Sequence, residues 1–277
     1  MLAVPNELDL SATQAALVTA THRTACLLRE TPDGQKPAPP LTWTVAETAA
    51  HLVTILQHSA RFVSGEEDAT EYATLDPNAT TTAERSVTAN ARMLEEFTER
   101  DPVRLAALLE TAADEFVAVA DQRRRDEPVL IEAGISMTVP AMTAVLLGEE
   151  LVHGLDIARA LSRPWKIDRD DAILVVSASM SMVPDIIDRQ STAGVHATFE
   201  LRLRGGPRYR VRIDDGTATL TDLDGEVDCW VNADPVAALL LAYGRVQQWS
   251  QILRGRLIVG GRKPWLAIKS GQLLTPV

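Results

Sequence analysis

Glu149 and His153 stand four residues apart in Gly148-Glu149-Glu150-Leu151-Val152-His153-Gly154-Leu155-Asp156. On a helix that spacing puts both on one face, with about 5–6 Å between Cβ atoms. A carboxylate and an imidazole held that way can grip one divalent cation if another helix supplies a third donor. His51, inside Trp43-Thr44-Val45-Ala46-Glu47-Thr48-Ala49-Ala50-His51-Leu52, is the candidate donor. The expected centre is therefore a three-ligand metal site in a helical bundle, with its remaining positions open to water or a thiol. Catalytic zinc sites have this form, three protein ligands and one exchangeable position.

Spacing alone leaves duller readings open. A helical Glu-His pair one turn apart is commonly a surface interaction, and a lone helical histidine is commonly structural. Glu47 and His51 share the same interval, but Glu47 is already accounted for by a capping box with Thr44. His58, two turns beyond His51, reads as a packing or surface histidine. Glu150 and His153 have the Glu-x-x-His spacing of di-iron bundles, which require a second such motif that this chain lacks. Whether Glu149 or Glu150 is the carboxylate ligand stays open at this level.

The elements that must position these residues are readable from periodicity and caps. A first helix is expected over about Asp9–Glu30, with Leu10, Leu17, Val18, Leu27 and Leu28 inward. The proline-rich run from Pro32 to Pro40 is a loop. Thr44 opens a second helix that fades near Ser64-Gly65. A polar stretch follows to about Thr80, long enough to be a lid or binding loop. Thr81-Thr82-Ala83-Glu84 caps a helix ending near Arg100. Asp101-Pro102 opens another that ends in Arg123-Arg124-Arg125, a basic run suited to a solvent-facing helix C-terminus. Residues 126–139 look extended, and an apolar helix over about Ala141–Leu161 carries Glu149 and His153. Asp168 caps one more helix, to about Arg189.

From His196 the period turns from helical to alternating. Phe199, Leu201 and Leu203, then Tyr209, Val211 and Ile213, alternate with charged residues around the turn Gly205-Gly206-Pro207. Short strands are expected at Thr217–Thr221, Val227–Val231 and Leu257–Val259. Helices are expected at Pro235–Tyr243, Gln247–Leu253 and Pro264–Ser270. Helices followed by strands give an α+β chain in two domains, 1–165 helical and 166–277 α+β with an antiparallel sheet.

Composition bounds the function. A net charge of −11 and a pI near 5.0 argue against a nucleic-acid surface. No apolar run approaches the ~20 residues that span a bilayer. The N-terminus lacks the pattern of a signal peptide, so a cytoplasmic location is expected and the sequon Asn78-Ala79-Thr80 is fortuitous. Cys26 and Cys229, the two cysteines, fit a reducing compartment, each as a buried small hydrophobe.

The segment Trp43-Thr44-Val45 leading to His51, followed by Glu149-x-x-x-His153-Gly154-Leu155-Asp156-Ile157-Ala158, resembles the mycothiol-dependent maleylpyruvate isomerase family. That family belongs to the DinB-like group of metal-binding four-helix proteins. The C-terminal strand–helix order is similar to the sterol-carrier-like domain its members carry. The resemblance implies a divalent metal, usually zinc, on His51, Glu149 and His153, with mycothiol as thiol co-substrate. Asp156, three residues past His153 and close to the same helical face, is placed to orient a ligand or contact the thiol, and the plain alternative is a solvated charge near the helix end. The resemblance gives Arg245, in Gly244-Arg245, the role of binding a substrate carboxylate near the active site, which would open where the two domains meet. The usual aromatic-leucine approach to that pair is altered here to Leu241-Ala242-Tyr243.

The function expected from this is transfer of a mycothiol-type thiol onto an electrophilic small molecule, as in specialised metabolism. One alternative is a mycothiol-dependent cis-trans isomerase of a maleylpyruvate-like unsaturated acid. Another, from a different class, is a non-catalytic small-molecule carrier. Expected partners are the thiol and the electrophile, with no nucleic acid and no membrane, in a monomer or homodimer.

Overall fold

The computed structural model describes residues 8–267. The chain divides into two compact units, Asp9–Ile167 and one formed from Asp168 onward.

The first unit is built on four long helices, α1 (Leu10–Arg29), α2 (Val45–Ser64), α5 (Pro102–Ala120) and α6 (Val139–Ala160). Helices α1 and α2 each pack against both α5 and α6. Leu17, Leu28, Leu52, Leu109, Phe116 and Leu151 are fully buried between them. Local chemistry sets the helix starts: Asp9 accepts from Ala12 N, and Asp101 accepts from Arg104 N ahead of Pro102. Thr44 and Glu47 close the expected capping box at the start of α2. Gly65, in the left-handed region at φ 79°, ends that helix. Helix α6 is buried almost all round, which marks a core helix rather than a surface one.

Two shorter helices, α3 (Thr70–Ala73) and α4 (Thr82–Glu96), pack on each other, and α4 lies on α2. The expected end of α4 near Arg100 is four residues too late. Arg100 folds back instead, donating from Nη2 to Leu94 O at 3.0 Å and from Nη1 to Phe97 O at 2.5 Å, so it occupies carbonyls of the last turn. Helix α5 likewise stops before its basic run. Arg123 and Arg124 pair locally with Glu127 and Asp126 in the turn that follows. The extended stretch forms a hairpin, β1 (Pro128–Leu130) with β2 (Ser136–Thr138), whose strands contact α2 and α6 respectively.

The second unit begins with α7 (Arg169–Ile186). It continues through β3 (His196–Leu203), β4 (Arg208–Asp214), β5 (Thr217–Thr221) and β6 (Cys229–Ala233), then α8 (Pro235–Ala242), α9 (Gln248–Leu253) and β7 (Leu257–Gly260). The sheet order is β5-β4-β3-β6-β7. Its neighbours are antiparallel except β3 and β6, which run parallel because the meander through β5 returns past β3. Strand β6 lies two residues later than the expected 227–231. The expected final helix, Pro264–Ser270, runs past residue 267 and so beyond the described residues.

The two cysteines separate. Cys229 is buried on β6, whereas Cys26 is exposed on α1, contrary to the expectation for both. Helical phase explains it: Ala25 and Leu28 take the inward positions of that turn, and Cys26 is rotated outward.

Candidate functional site

Residues 51, 149 and 153 meet in the core of the helical unit. His51 Nε2 lies 3.3 Å from Glu149 Oε2, and His153 Nε2 lies 3.1 Å from the same oxygen. One ligand atom from each residue can be chosen so that all three lie within 4.8 Å of one another. The imidazole centroids are 5.1 Å apart and nearly perpendicular, so the rings meet edge to face. The Trp43 ring lies 5.0 Å from His51 and 6.2 Å from His153, walling both.

Each member is there for a local reason. The capping box fixes the start of α2, and His51 follows two turns later on its buried side. Helix α6 carries Glu149 and His153 one turn apart. Their neighbour Gly154 admits the Trp165 ring: a Cβ on Gly154 would fall 2.3 Å from Trp165 Cζ2. Trp165 donates to Leu151 O at 2.9 Å, and the Arg23 guanidinium covers its ring at 4.0 Å. This close packing backs the turn of α6 that carries His153.

The alternatives left open by spacing separate here. Glu150 is rotated away from the histidines and accepts from Thr24 Oγ1 of α1 at 3.1 Å. Burial pushes its carboxyl up to about 8, so at neutral pH it is a protonated packing group. Glu149 is the acid that faces both imidazoles. His58 turns to Glu67 at 2.8 Å, and Tyr72 donates to that carboxylate from the other side, so His58 ties the segment after α2 to its own helix.

Electrostatics separates the three as well. Burial works to raise the Glu149 carboxyl, but hydrogen bonds from His153 and His51 hold it well below the usual carboxylate range. Burial, helped by the neighbouring His153 charge, lowers His51 despite Glu149. Burial also opposes the charge on His153, yet the Asp156 and Glu149 carboxylates raise it to about 9. Asp156 Oδ2 is 3.3 Å from His153 Nδ1, and Asp156 is fully buried rather than solvated. A ligating histidine whose second nitrogen meets a carboxylate is held in one ring orientation. Among the described residues, Nδ1 is buried without a hydrogen bond in both histidines, and at His153 the Asp156 carboxylate stands beside it as an ion-pair partner.

One acid escaped sequence reasoning. Glu132, between β1 and β2, is half-buried, and burial together with the Glu149 charge raises it to about 7. Nothing in a lone glutamate within a loop signals this, since only the packing of the hairpin brings it within the field of Glu149.

The donor set fits a divalent cation. Two imidazole nitrogens, that of His153 once a cation displaces its proton, and one carboxylate oxygen form a ligand set that zinc accepts, with a position left for exchange. A carboxylate oxygen shared by two Nε2 atoms marks where the donors converge. Arg245 belongs to the second unit. It follows Gly244, in the left-handed region at φ 67°, and its Nη1 donates to Tyr243 O at 2.5 Å.

Fold and donor cluster together define a class: a helical bundle with a His-Glu-His group suited to a divalent cation, joined to an α+β unit. Residues 16–158, more than half of the chain, match the family model described as mycothiol maleylpyruvate isomerase N-terminal domain, and the chain belongs to that family. Among solved structures it is similar to the mycothiol-dependent maleylpyruvate isomerase, at 14% identity and a TM-score of 0.52. That likeness covers 87% of this chain and 91% of the other, and it is a likeness of fold. Sterol carrier protein 2 from Yarrowia lipolytica, in its apo form, aligns with 35% of this chain and 91% of its own, at 19% identity and a TM-score of 0.25. The α+β character of the second unit rests on its own strand order. No curated protein matches the sequence. No helix among the described residues is long and apolar enough to cross a membrane.

Proposed function

We propose that the chain is a metal-assisted, mycothiol-dependent cis-trans isomerase of a small unsaturated acid of the maleylpyruvate kind. The observation that carries this reading is the convergence of His51 and His153 on Glu149 in a member of this family. Thiol transfer, the reading the sequence favours, stands second, because the family and the similar solved structure both take their names from the isomerase.

A divalent cation, zinc in this proposal, would favour the thiolate over the thiol of a bound co-substrate at neutral pH. His51, Glu149 and His153 would hold it. Asp156 keeps the His153 ring turned so that Nε2 points inward, and Trp43 excludes water from the imidazoles. Isomerisation then needs three events at the substrate. The thiolate sulfur adds to one alkene carbon while the electron pair moves to the conjugated carbonyl, the former double bond rotates, and elimination returns the thiolate. The proposal keeps for Arg245 the part that the resemblance gives it, a bidentate partner for a substrate carboxylate. Asp156 likewise keeps thiol contact as its second possible part, beside orienting His153.

The test is turnover with mycothiol and maleylpyruvate. Regenerated thiol with altered double-bond geometry is the expected outcome, and a stable thioether would move the assignment to transferase. A carrier would bind its ligand equally well after His51→Ala or His153→Ala. The enzyme loses metal and activity together.

A further inference from the structure

On one face of the C-terminal sheet, three arginines share a single acid. In register, Glu200 of β3 lies opposite Arg210 of β4 and Trp230 of β6, and Arg202 lies opposite Arg208 and Asn232. The Glu200 carboxylate is completely buried. Its Oε1 accepts from Arg202 Nε at 2.6 Å and from Arg208 Nε at 3.0 Å, with Arg208 Nη2 closer still. Its Oε2 accepts from Arg210 Nε at 3.2 Å and Nη2 at 2.6 Å.

The charges do not balance. One carboxylate faces three guanidiniums, which stay protonated at any working pH and cannot relieve their repulsion by losing a proton. Arg210 is buried and spends Nη1 on the carbonyls of Asp222 and Asp224. Arg202 and Arg208 differ from it. Their side chains are 32% and 47% exposed, and among the described residues neither forms a second ion pair. Arg202 hydrogen-bonds through Nε alone, leaving its two terminal nitrogens for a ligand, and Arg208 keeps Nη1. The Arg202 guanidinium lies 4.7 Å over the Trp230 ring, which holds it in place. Next to it, Arg204 is tied to Asn232 Oδ1 and Gly255 O, so the neighbouring strands are fixed.

We propose that Arg202 and Arg208, set by Glu200 and Trp230, form a binding site for a phosphate-type dianion at the solvent-reached part of this sheet face. Two excess positive charges call for a ligand carrying two negative ones. Guanidinium forks match the oxygens of a phosphate or phosphate monoester. Because Glu200 and the indole already orient both side chains, little ordering remains to oppose binding. Nothing in this site uses the histidine cluster, so it stands apart from the isomerase reading.

The test is calorimetric titration of the full chain with inorganic phosphate and, separately, glycerol phosphate, at constant ionic strength set with chloride. One site per chain is expected. Tighter binding of the ester would assign the site to a phosphorylated metabolite, and equal or weaker binding to free phosphate. The Arg202→Gln/Arg208→Gln pair should weaken binding at least tenfold, whereas Arg92→Gln, on the helical unit, should leave it unchanged. His153→Ala should also retain binding, which excludes phosphate held through a metal. Arg208→Lys keeps the charge but loses the fork, and its intermediate weakening serves if the double variant folds poorly. Absence of phosphate binding above chloride, or a double variant that binds like the parent, overturns the proposal.

Discussion

Two carboxylates, one largely and one completely shielded from solvent, organise this protein, and the partners around them suit their sites to opposite chemistries. Glu149 in the helical unit is held by two imidazoles, and Glu200 on the sheet by three guanidiniums. A neutral imidazole has a lone pair, so the first cluster can exchange its internal hydrogen bonds for a cation. A guanidinium has no lone pair to give and never loses its charge. The second cluster can only gather anions. The same acid type thus anchors a donor set fit for a cation where it is 15% exposed and an excess of positive charge where it is wholly buried.

Removing a partner from each cluster tests that contrast. The largest effect is expected from His153→Ala, which should abolish metal retention and turnover while leaving helical circular dichroism unchanged. Retained metal would break the comparison at its first half. Next is Glu200→Gln. Stranding three arginines without their acid should cost about 3–5 kcal/mol in urea unfolding, the penalty typical of a broken buried pair. The same substitution has a pH signature. The arginines, working against burial, hold the Glu200 carboxyl at about 2, below its ordinary 4.5. Its contribution is therefore present above about 4.5 and is lost as pH falls toward 2. The stability gap between the parent and Glu200→Gln should close over that window, and a gap unchanged by acid would show that the ion cluster contributes little.

Asp156→Asn is expected to act more gently. The orienting partner of a ligating histidine is typically worth about 10–100-fold in metal affinity, read here by competition with a chelator. No change in affinity would leave Asp156 as packing alone. The smallest effect belongs to Thr44→Ala, which removes one half of the capping box that starts α2. A loss of about 1 kcal/mol is expected, with metal affinity nearly unchanged, because tertiary packing holds His51 once α2 is formed.

Much of the helical site is legible in the sequence. The capping box and the four-residue interval place His51, Glu149 and His153 on helices, and the same boxes mark the starts of α2 and α4. Glu149 and Glu150 could not be separated there, since neighbours on a helix differ only by rotation. Thr24, more than a hundred residues earlier in the chain, settles the matter by taking Glu150. The sheet was legible in its strands but not in its charges. Alternation along β3 sets charged residues opposite Phe199, Leu201 and Leu203 but says nothing of their partners, whereas cross-strand register surrounds Glu200 with arginines from two strands.

The sequence by itself determined which segments are helix or strand, where the caps fall, and which residue types could donate to a metal, because those properties follow from neighbours a few residues away. Only the tertiary structure decided which donors meet. His51 and Glu149 are 98 residues apart, and the packing of α2 against α6 brings them to one point. No local interval encodes that distance, since it is set by the burial of two apolar helix faces against each other.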